Sequence, residues 1–236
     1  MVKLKAVRPE WVTLCASAFF LAGFNFVLWQ HLFAITSADA KGIALRVAFG
    51  AMIFAAFNIV LTFLAFRRVL KPVLILLFLI SASVAYFMSQ YGVLIDAGML
   101  RNFAETNVTE VRDLLSLKLL AYIVFLGVVP SWILWKVPVD YRRWHRELFS
   151  KVIVSFASVA VIGGVALANY QGLSSLFRNH HELRLMLVPS NYIGAAAGYL
   201  REQVASAQQP FVKIGEDAQR DVALQNHPRK SLTVLV

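Results

Sequence analysis

The sequence predicts an all-α, polytopic membrane protein with five transmembrane helices, a cytoplasmic N-terminus and amphipathic helices on the outer side. Of its 236 residues, 59% are hydrophobic and 15% are charged, with a mean hydropathy of +0.66. A soluble domain would be about 45–50% apolar and about 25% charged. The apolar residues also form five runs of roughly membrane length.

These runs are residues 12–34, 44–66, 70–90, 116–135 and 151–170. The third begins with Lys71-Pro72, so its apolar core starts at Val73. The fourth contains Pro130, which predicts a kink because proline lacks the amide hydrogen of the helical ladder. The single Cys15 lies inside the first run, where we expect a small buried hydrophobe.

The basic residues are distributed unevenly between the two ends of the predicted spans. The N-terminus and the connections at 66–72 and 136–151 contain eleven basic and three acidic residues, which account for +8 of the net charge of +10. Basic residues favour the cytoplasmic side of a membrane, so these segments are predicted to be inside and residues 171–236 outside. The basic excess then reflects topology, and nucleic-acid binding is not expected.

Two asparagines lie in the middle of spans. Asn25 and Asn58 occur in the similar contexts GFNFVL and AFNIVL. Amides inside a bilayer need partners, which predicts an interhelical hydrogen bond or, alternatively, a place in a substrate path. The predicted spans contain no ionisable residue at their centres, which argues against an ion-coupled transporter.

The segment after the fifth span has helical periodicity. In LSSLFRNHHELRLML, one face predicts an amphipathic helix on the outer leaflet, and Pro189 should end it before Ser190 or Asn191 caps another. That face contains Leu173, Leu176, Phe177, His180, Leu183 and Leu187. His180-His181-Glu182 is not predicted to bind metal, because consecutive helical residues point about 100° apart. Residues 206–230 resemble a polar linker, and the final SLTVLV predicts a strand.

A polar stretch, LRNFAETNVTE at 100–110, separates the third and fourth spans. If residues 98–113 form one helix, Asn102, Thr106 and Glu110 share a broad face. If the helix breaks near Asn107, then Asn107 and Glu110 form a capping arrangement and Glu110 is structural. The sequence alone leaves both alternatives open.

Four blocks of the chain resemble the lipid A phosphoethanolamine transferases of Gram-negative bacteria, the family of the polymyxin-resistance enzymes. They are YGVLIDAGMLRNFAETNVTEVRDLLS, SLFRNHHELRLMLVPSNYI, VKIGEDA and SLTVLV. The resemblance covers residues 10 to 236. It implies a five-helix inner-membrane domain joined by a linker to a periplasmic catalytic domain, which transfers phosphoethanolamine from phosphatidylethanolamine to lipid A with zinc.

The resemblance implies a division into three parts. Residues 1–170 are the transmembrane domain, residues 171–230 are periplasmic helices and linker, and residues 231–236 begin a truncated catalytic domain. It also implies that Asn102, Thr106 and Glu110 bind the donor head group.

The family's zinc-binding glutamate and nucleophilic threonine follow the strand that resembles LTVLV, and this sequence ends at Val236 before both. We therefore expect no catalytic residue, metal site or cofactor in this chain, which alone would be inactive and would present the lipid. The alternatives are a standalone membrane interaction or regulatory protein and a small transporter.

Overall fold

The computed structural model of the chain describes residues 6–105 and 115–208. The chain divides into two compact units, residues 1–200 and 201–236, and all contacts reported below lie within the first. Of the second unit the structure describes residues 201–208, the end of a helix. The predicted linker at 206–230 falls almost wholly outside the described residues, and the predicted strand at the C-terminus falls entirely outside them. The division at residues 170 and 230 stays a prediction.

The described residues are mostly helical, which confirms the predicted fold class. The helices of the spans are α1 (Pro9–Phe19), α2 (Phe26–Ile35), α3 (Ala40–Phe63), α4 (Leu70–Tyr91), α6 (Leu117–Tyr122), α7 (Val129–Lys136) and α8 (Trp144–Ala168). The remaining helices are α5 (Ala97–Glu105), α9 (Tyr170–Asn179), α10 (Leu183–Met186) and α11 (Ser190–Gln208). In the parts of the chain that are described, the β-structure is a single parallel bridge between Val7 and Val139.

Four helical segments are long and apolar enough to cross a membrane: α3, α4, Leu117–Lys136 and α8. A fifth crossing exists if α1 and α2, which meet at a bend of 66°, form one broken span. Inside Leu117–Lys136 a π-helical stretch, Ile123–Val128, directly precedes the turn that contains Pro130. At the position of the kink that we predicted for Pro130, the structure therefore has wider, π-helical turns.

Hydrogen bonds at one end of the bundle join the N-terminus to the connections after α3 and α7, and we refer to α1 and α2 together as the first crossing. The amide of Val7 donates to Pro138 O at 2.9 Å, and Lys71 Nζ donates to Trp135 O and Val137 O at 3.1 and 2.8 Å. The N-terminus and the two basic connections thus lie at the same end, which we call the basic end. At the other end, the outer end, Arg46 donates to Thr36 O.

The core of the bundle is an aromatic cluster that joins the first crossing to α3 and α4. The ring of Phe20 lies 5.2 Å from that of Phe78 and 6.0 Å from that of Phe57, centroid to centroid. Edge and tilted contacts of this kind add about 0.5–1.5 kcal/mol beyond area burial. Asn58 Nδ2 donates to Ser158 Oγ at 3.0 Å and joins α3 to α8, which confirms an interhelical bond for this asparagine.

Cys15 differs from the expectation, because the structure places it on the exposed surface of α1. In a membrane bundle the outward face of a helix meets lipid, so an apolar run does not separate buried positions from exposed ones. The prediction that Cys15 is buried is therefore wrong.

The first crossing bends at Asn25, and the side chain of this residue forms hydrogen bonds with Val188, which lies outside the spans. A π-helical stretch, Phe20–Phe24, ends there, and α2 begins at the next residue. Asn25 Nδ2 donates to Phe20 O and to Val188 O, both at 2.8 Å, and Asn25 Oδ1 accepts from the Val188 amide at 2.9 Å. Asn25 and Val188 are 1% and 0% exposed. One amide therefore closes the helix break and binds both backbone groups of Val188, 163 residues away.

Substitution of Asn25 tests this double hydrogen bond. In Asn25→Ala the buried Val188 amide and carbonyl lose their partner, and each orphaned group costs about 1–3 kcal/mol. We expect a lower unfolding temperature in detergent and faster hydrogen exchange at the Val188 amide. Asn179→Ala, at an exposed position on α9, is the control and should change neither. Unaltered exchange at Val188 in Asn25→Ala would contradict the interpretation.

A second prediction concerns the turn between α2 and α3. A Cβ at Gly42 would lie 1.9 Å from the backbone oxygen of Ser37, whereas a Cβ at Gly163 meets nothing within 4 Å. Gly42→Ala should destabilise the protein by about 1–3 kcal/mol, because the backbone must shift. Gly163→Ala should be neutral or stabilising by up to about 1 kcal/mol. Thermal unfolding of the two variants in one detergent measures the contrast, and equal unfolding temperatures would count against the turn geometry.

Candidate functional site

The described part of the polar stretch that was predicted to bind a head group, residues 100–105, follows α4 at the outer end. Asn102 lies on α5 and is exposed. Thr106 and Glu110 lie outside the described residues. The structure therefore neither brings the three residues together nor separates them, and the capping role of Glu110 stays open.

The segment that contains these residues is anchored on both sides. At its start, Asp96 caps α5, since its carboxylate accepts from the Met99 amide at 2.7 Å. At its end, Ser116 Oγ accepts from the Leu119 amide at 3.1 Å and lies 2.7 Å from the hydroxyl of Tyr86 on α4. The chain is thus held by a helix cap at Asp96 before residues 106–114 and by a bond to α4 at Ser116 after them.

An apolar cavity of about 490 Å³ lies between α4, the start of this segment and α11. Its lining is almost entirely apolar. It includes Val84, Phe87, Met99, Phe103, Tyr192 and Ala196. Phe103 directly follows Asn102, so the cavity lies beside the part of the polar stretch that the structure describes. An apolar space of this kind suits a hydrocarbon chain.

α11 forms the wall of the cavity opposite α4 and is held by two neighbouring side chains. The Tyr192 hydroxyl lies 3.2 Å from Ser81 Oγ on α4, and burial raises the pKa of Tyr192 to about 12. The phenol is therefore neutral at physiological pH. Asn191 Nδ2 donates to Leu185 O at 3.1 Å and contacts Met88 Sδ at 3.3 Å. These bonds place the first turn of α11 against the outer end of α4.

The amphipathic helix predicted for residues 173–187 is broken. α9 ends at Asn179, and the turn at residues 180–182 precedes the short α10. His180 Nδ1 lies 2.9 Å from Glu182 Oε1, and His31 Nε2, from α2, lies 3.1 Å from the same oxygen. His181 is exposed. The divergence of consecutive helical residues does not apply here, because residues 180–182 are not helical.

Glu182 is ionised at neutral pH in this arrangement. Hydrogen bonds from its own backbone and from both imidazoles lower its pKa from 4.5 to about 2. The carboxylate therefore accepts from both rings when each carries a proton on the facing nitrogen. Sequence reasoning missed His31, since no spacing or motif connects residue 31 with residue 180.

Comparison with known proteins identifies the family of this chain. The family described as phosphoethanolamine transferase EptA/EptB matches residues 53–204, more than half of the chain. EptA of Escherichia coli K12 is 36% identical over 187 residues, which cover 78% of this chain and 34% of EptA. Mcr-1 of Escherichia coli, a phosphatidylethanolamine transferase, is 32% identical over 219 residues, 91% of this chain and 40% of Mcr-1.

A solved structure agrees with the fold. The lipooligosaccharide phosphoethanolamine transferase A of Neisseria meningitidis, an integral membrane protein, superposes with a TM-score of 0.81 and 25% identity. The match covers 89% of this chain and 38% of that protein. This chain spans about a third of the length of the curated EptA relatives that it matches. On the family match and the shared membrane fold, the chain belongs to the EptA/EptB family of phosphoethanolamine transferases.

Proposed function

We propose that this chain is the membrane-anchoring and lipid-presenting part of a phosphoethanolamine transferase that takes phosphatidylethanolamine as donor and modifies lipid A. The observation that carries the proposal is the apolar cavity beside Asn102. One acyl chain of the donor lies against Phe87, Met99 and Ala196, and its head group meets the polar stretch at the outer end.

The chemistry of the polar stretch fits this head group. Phosphatidylethanolamine presents an ammonium and a phosphate, and carboxylate and amide oxygens accept hydrogen bonds from an ammonium. In the proposal, Glu110 faces the ammonium while Asn102 and Thr106 bond to the neighbouring polar atoms. Since a lipid inserts its tails into the bilayer, a cavity continuous with the membrane places the head group within reach of these residues.

The location follows from the charges. The basic end is cytoplasmic under the positive-inside rule, so the outer end is in the periplasm of a bacterial inner membrane. In this proposal the chain binds and presents the lipid, and phosphoryl transfer with its zinc is assigned to the catalytic domain that the family resemblance implies.

Filling the cavity tests where the donor's acyl chain binds. Ala196 lines the cavity, whereas Ala197 is exposed on the same helix. With the purified chain in nanodiscs and a fluorescent phosphatidylethanolamine as probe, Ala196→Phe should weaken binding by about tenfold or more, which corresponds to about 1.4 kcal/mol. Ala197→Phe adds the same ring outside the cavity and should bind as the wild type does. Equal affinities for the two variants would show that the acyl chain does not bind in this cavity.

Head-group preference tests the polar stretch separately. Losing a hydrogen bond to a charged group costs about 1.5–3 kcal/mol. Glu110→Ala and Asn102→Ala should therefore reduce the preference for phosphatidylethanolamine over phosphatidylglycerol by about tenfold or more. Asn179→Ala, on the surface of α9, serves as the matched control.

The same variants decide between the two interpretations of Glu110. If Glu110→Ala lowers the unfolding temperature and leaves the lipid preference intact, the carboxylate caps a helix and does not bind the donor.

A further inference from the structure

The cluster of His31, His180 and Glu182 lies at the outer end, apart from the cavity beside Asn102, and the proposed lipid binding does not use it. Its three potential ligand atoms, one from each residue, lie within 4.8 Å of one another. The two imidazole rings are 6.2 Å apart between centroids and nearly perpendicular, at 76°. Both rings thus turn a nitrogen toward one carboxylate oxygen.

The distances fit a metal ion of ordinary size. Zinc lies about 2.0–2.1 Å from imidazole nitrogen and carboxylate oxygen, so tetrahedral ligands are about 3.3 Å apart. The nitrogens of His31 and His180 lie 3.1 and 2.9 Å from Glu182 Oε1. These two pairs need changes of a few tenths of an ångström, and the two imidazole nitrogens, which lie within 4.8 Å of each other, approach further by side-chain rotation.

The donor set also selects the class of ion. Two imidazoles and one carboxylate suit zinc and its neighbours among the first-row transition metals, whereas calcium and magnesium prefer ligand sets made of oxygen alone. Three protein ligands leave a fourth position for water. His180 lines a cavity of about 760 Å³ that runs past Thr36, Ser37 and Asn179, which provides access for ion and water.

The ligands come from separate parts of the chain that are fixed independently of the cluster. His31 is on α2, directly after the bend at Asn25, while His180 and Glu182 lie in the turn before α10. The hydrogen bonds between Asn25 and Val188 hold that second segment against the first crossing. Side-chain exposures of 29–35% leave the three groups partly shielded from solvent and still accessible. Ligands positioned before the ion arrives bind it with less loss of conformational freedom.

We propose that His31, His180 and Glu182 form a binding site for one divalent zinc-class metal ion. Each neutral imidazole binds the ion through the nitrogen that faces Glu182 and keeps its proton on the other ring nitrogen. It joins the turn before α10 to α2 and thereby stiffens the outer surface of the first crossing. All three ligands belong to this chain, so the site does not depend on the proposed lipid binding.

Zinc binding to the purified 236-residue chain in detergent tests the site, with an affinity tag that contains no histidines. After dialysis against zinc, the wild type should retain one zinc per chain by elemental analysis, and cobalt should give visible absorption bands typical of tetrahedral coordination. His31→Ala, His180→Ala and Glu182→Gln should each weaken zinc binding by at least the 10–100-fold expected even for an outer-shell change. Glu182→Gln nearly preserves side-chain volume, so a loss of zinc in this variant does not result from misfolding. Circular dichroism checks that each variant is folded.

His181→Ala is the matched control, because His181 is adjacent in sequence and exposed. It should retain one zinc per chain and the cobalt spectrum. A wild type that retains no zinc would show that the cluster is a hydrogen-bonded contact only, and this overturns the proposal. A loss of zinc in His181→Ala as large as in His180→Ala would also overturn it. Neither result depends on lipid binding.

Discussion

The outer end of this membrane domain depends on one side chain, Asn25. A bilayer offers no water to unpaired amides, so a broken helix inside a span is stable only when other groups satisfy its backbone. Asn25 does this with its carboxamide, which bonds to Phe20 O at the break and to both backbone groups of Val188. The same amide that permits the bend therefore fixes a distant segment against it.

The apolar cavity is bounded by a helix that follows this attachment. Val188 is followed within a few residues by Asn191 and Tyr192, which bond to α4 and begin α11. Tyr192 and Ala196 form one wall of the cavity, while α4 and α5 form the others. A wall formed by an unattached surface helix would move with the membrane interface. Here the wall is α11, which is bonded to α4 and comes shortly after Val188, the residue whose backbone Asn25 binds. The shape of the cavity is thus coupled to the bend in the first crossing.

Much of the bundle was predictable, because hydrophobicity along the chain identifies the segments that cross a membrane. The spans and the bond of Asn58 followed from run length and from the need of buried amides for partners, whereas the direction of the spans stays a prediction. The partner of Asn25 did not, because any peptide group can satisfy an amide and Val188 carries no mark of its role. The break at His180 was missed for a related reason: helical periodicity continues through it, with neither glycine nor proline to interrupt it. Only the folded structure shows that His31 lies beside His180 and Glu182. The binding role proposed for Glu110 rests on the family resemblance alone.

The two polar features of the outer end have different physical tasks. The described part of the stretch around Asn102 lies beside an apolar cavity, and in the proposed function it bonds to a lipid head group. The cluster of His31, His180 and Glu182 joins two protein segments, and its groups already satisfy one another through short hydrogen bonds. The proposed lipid site and the segment that supports α11 thus use separate polar groups.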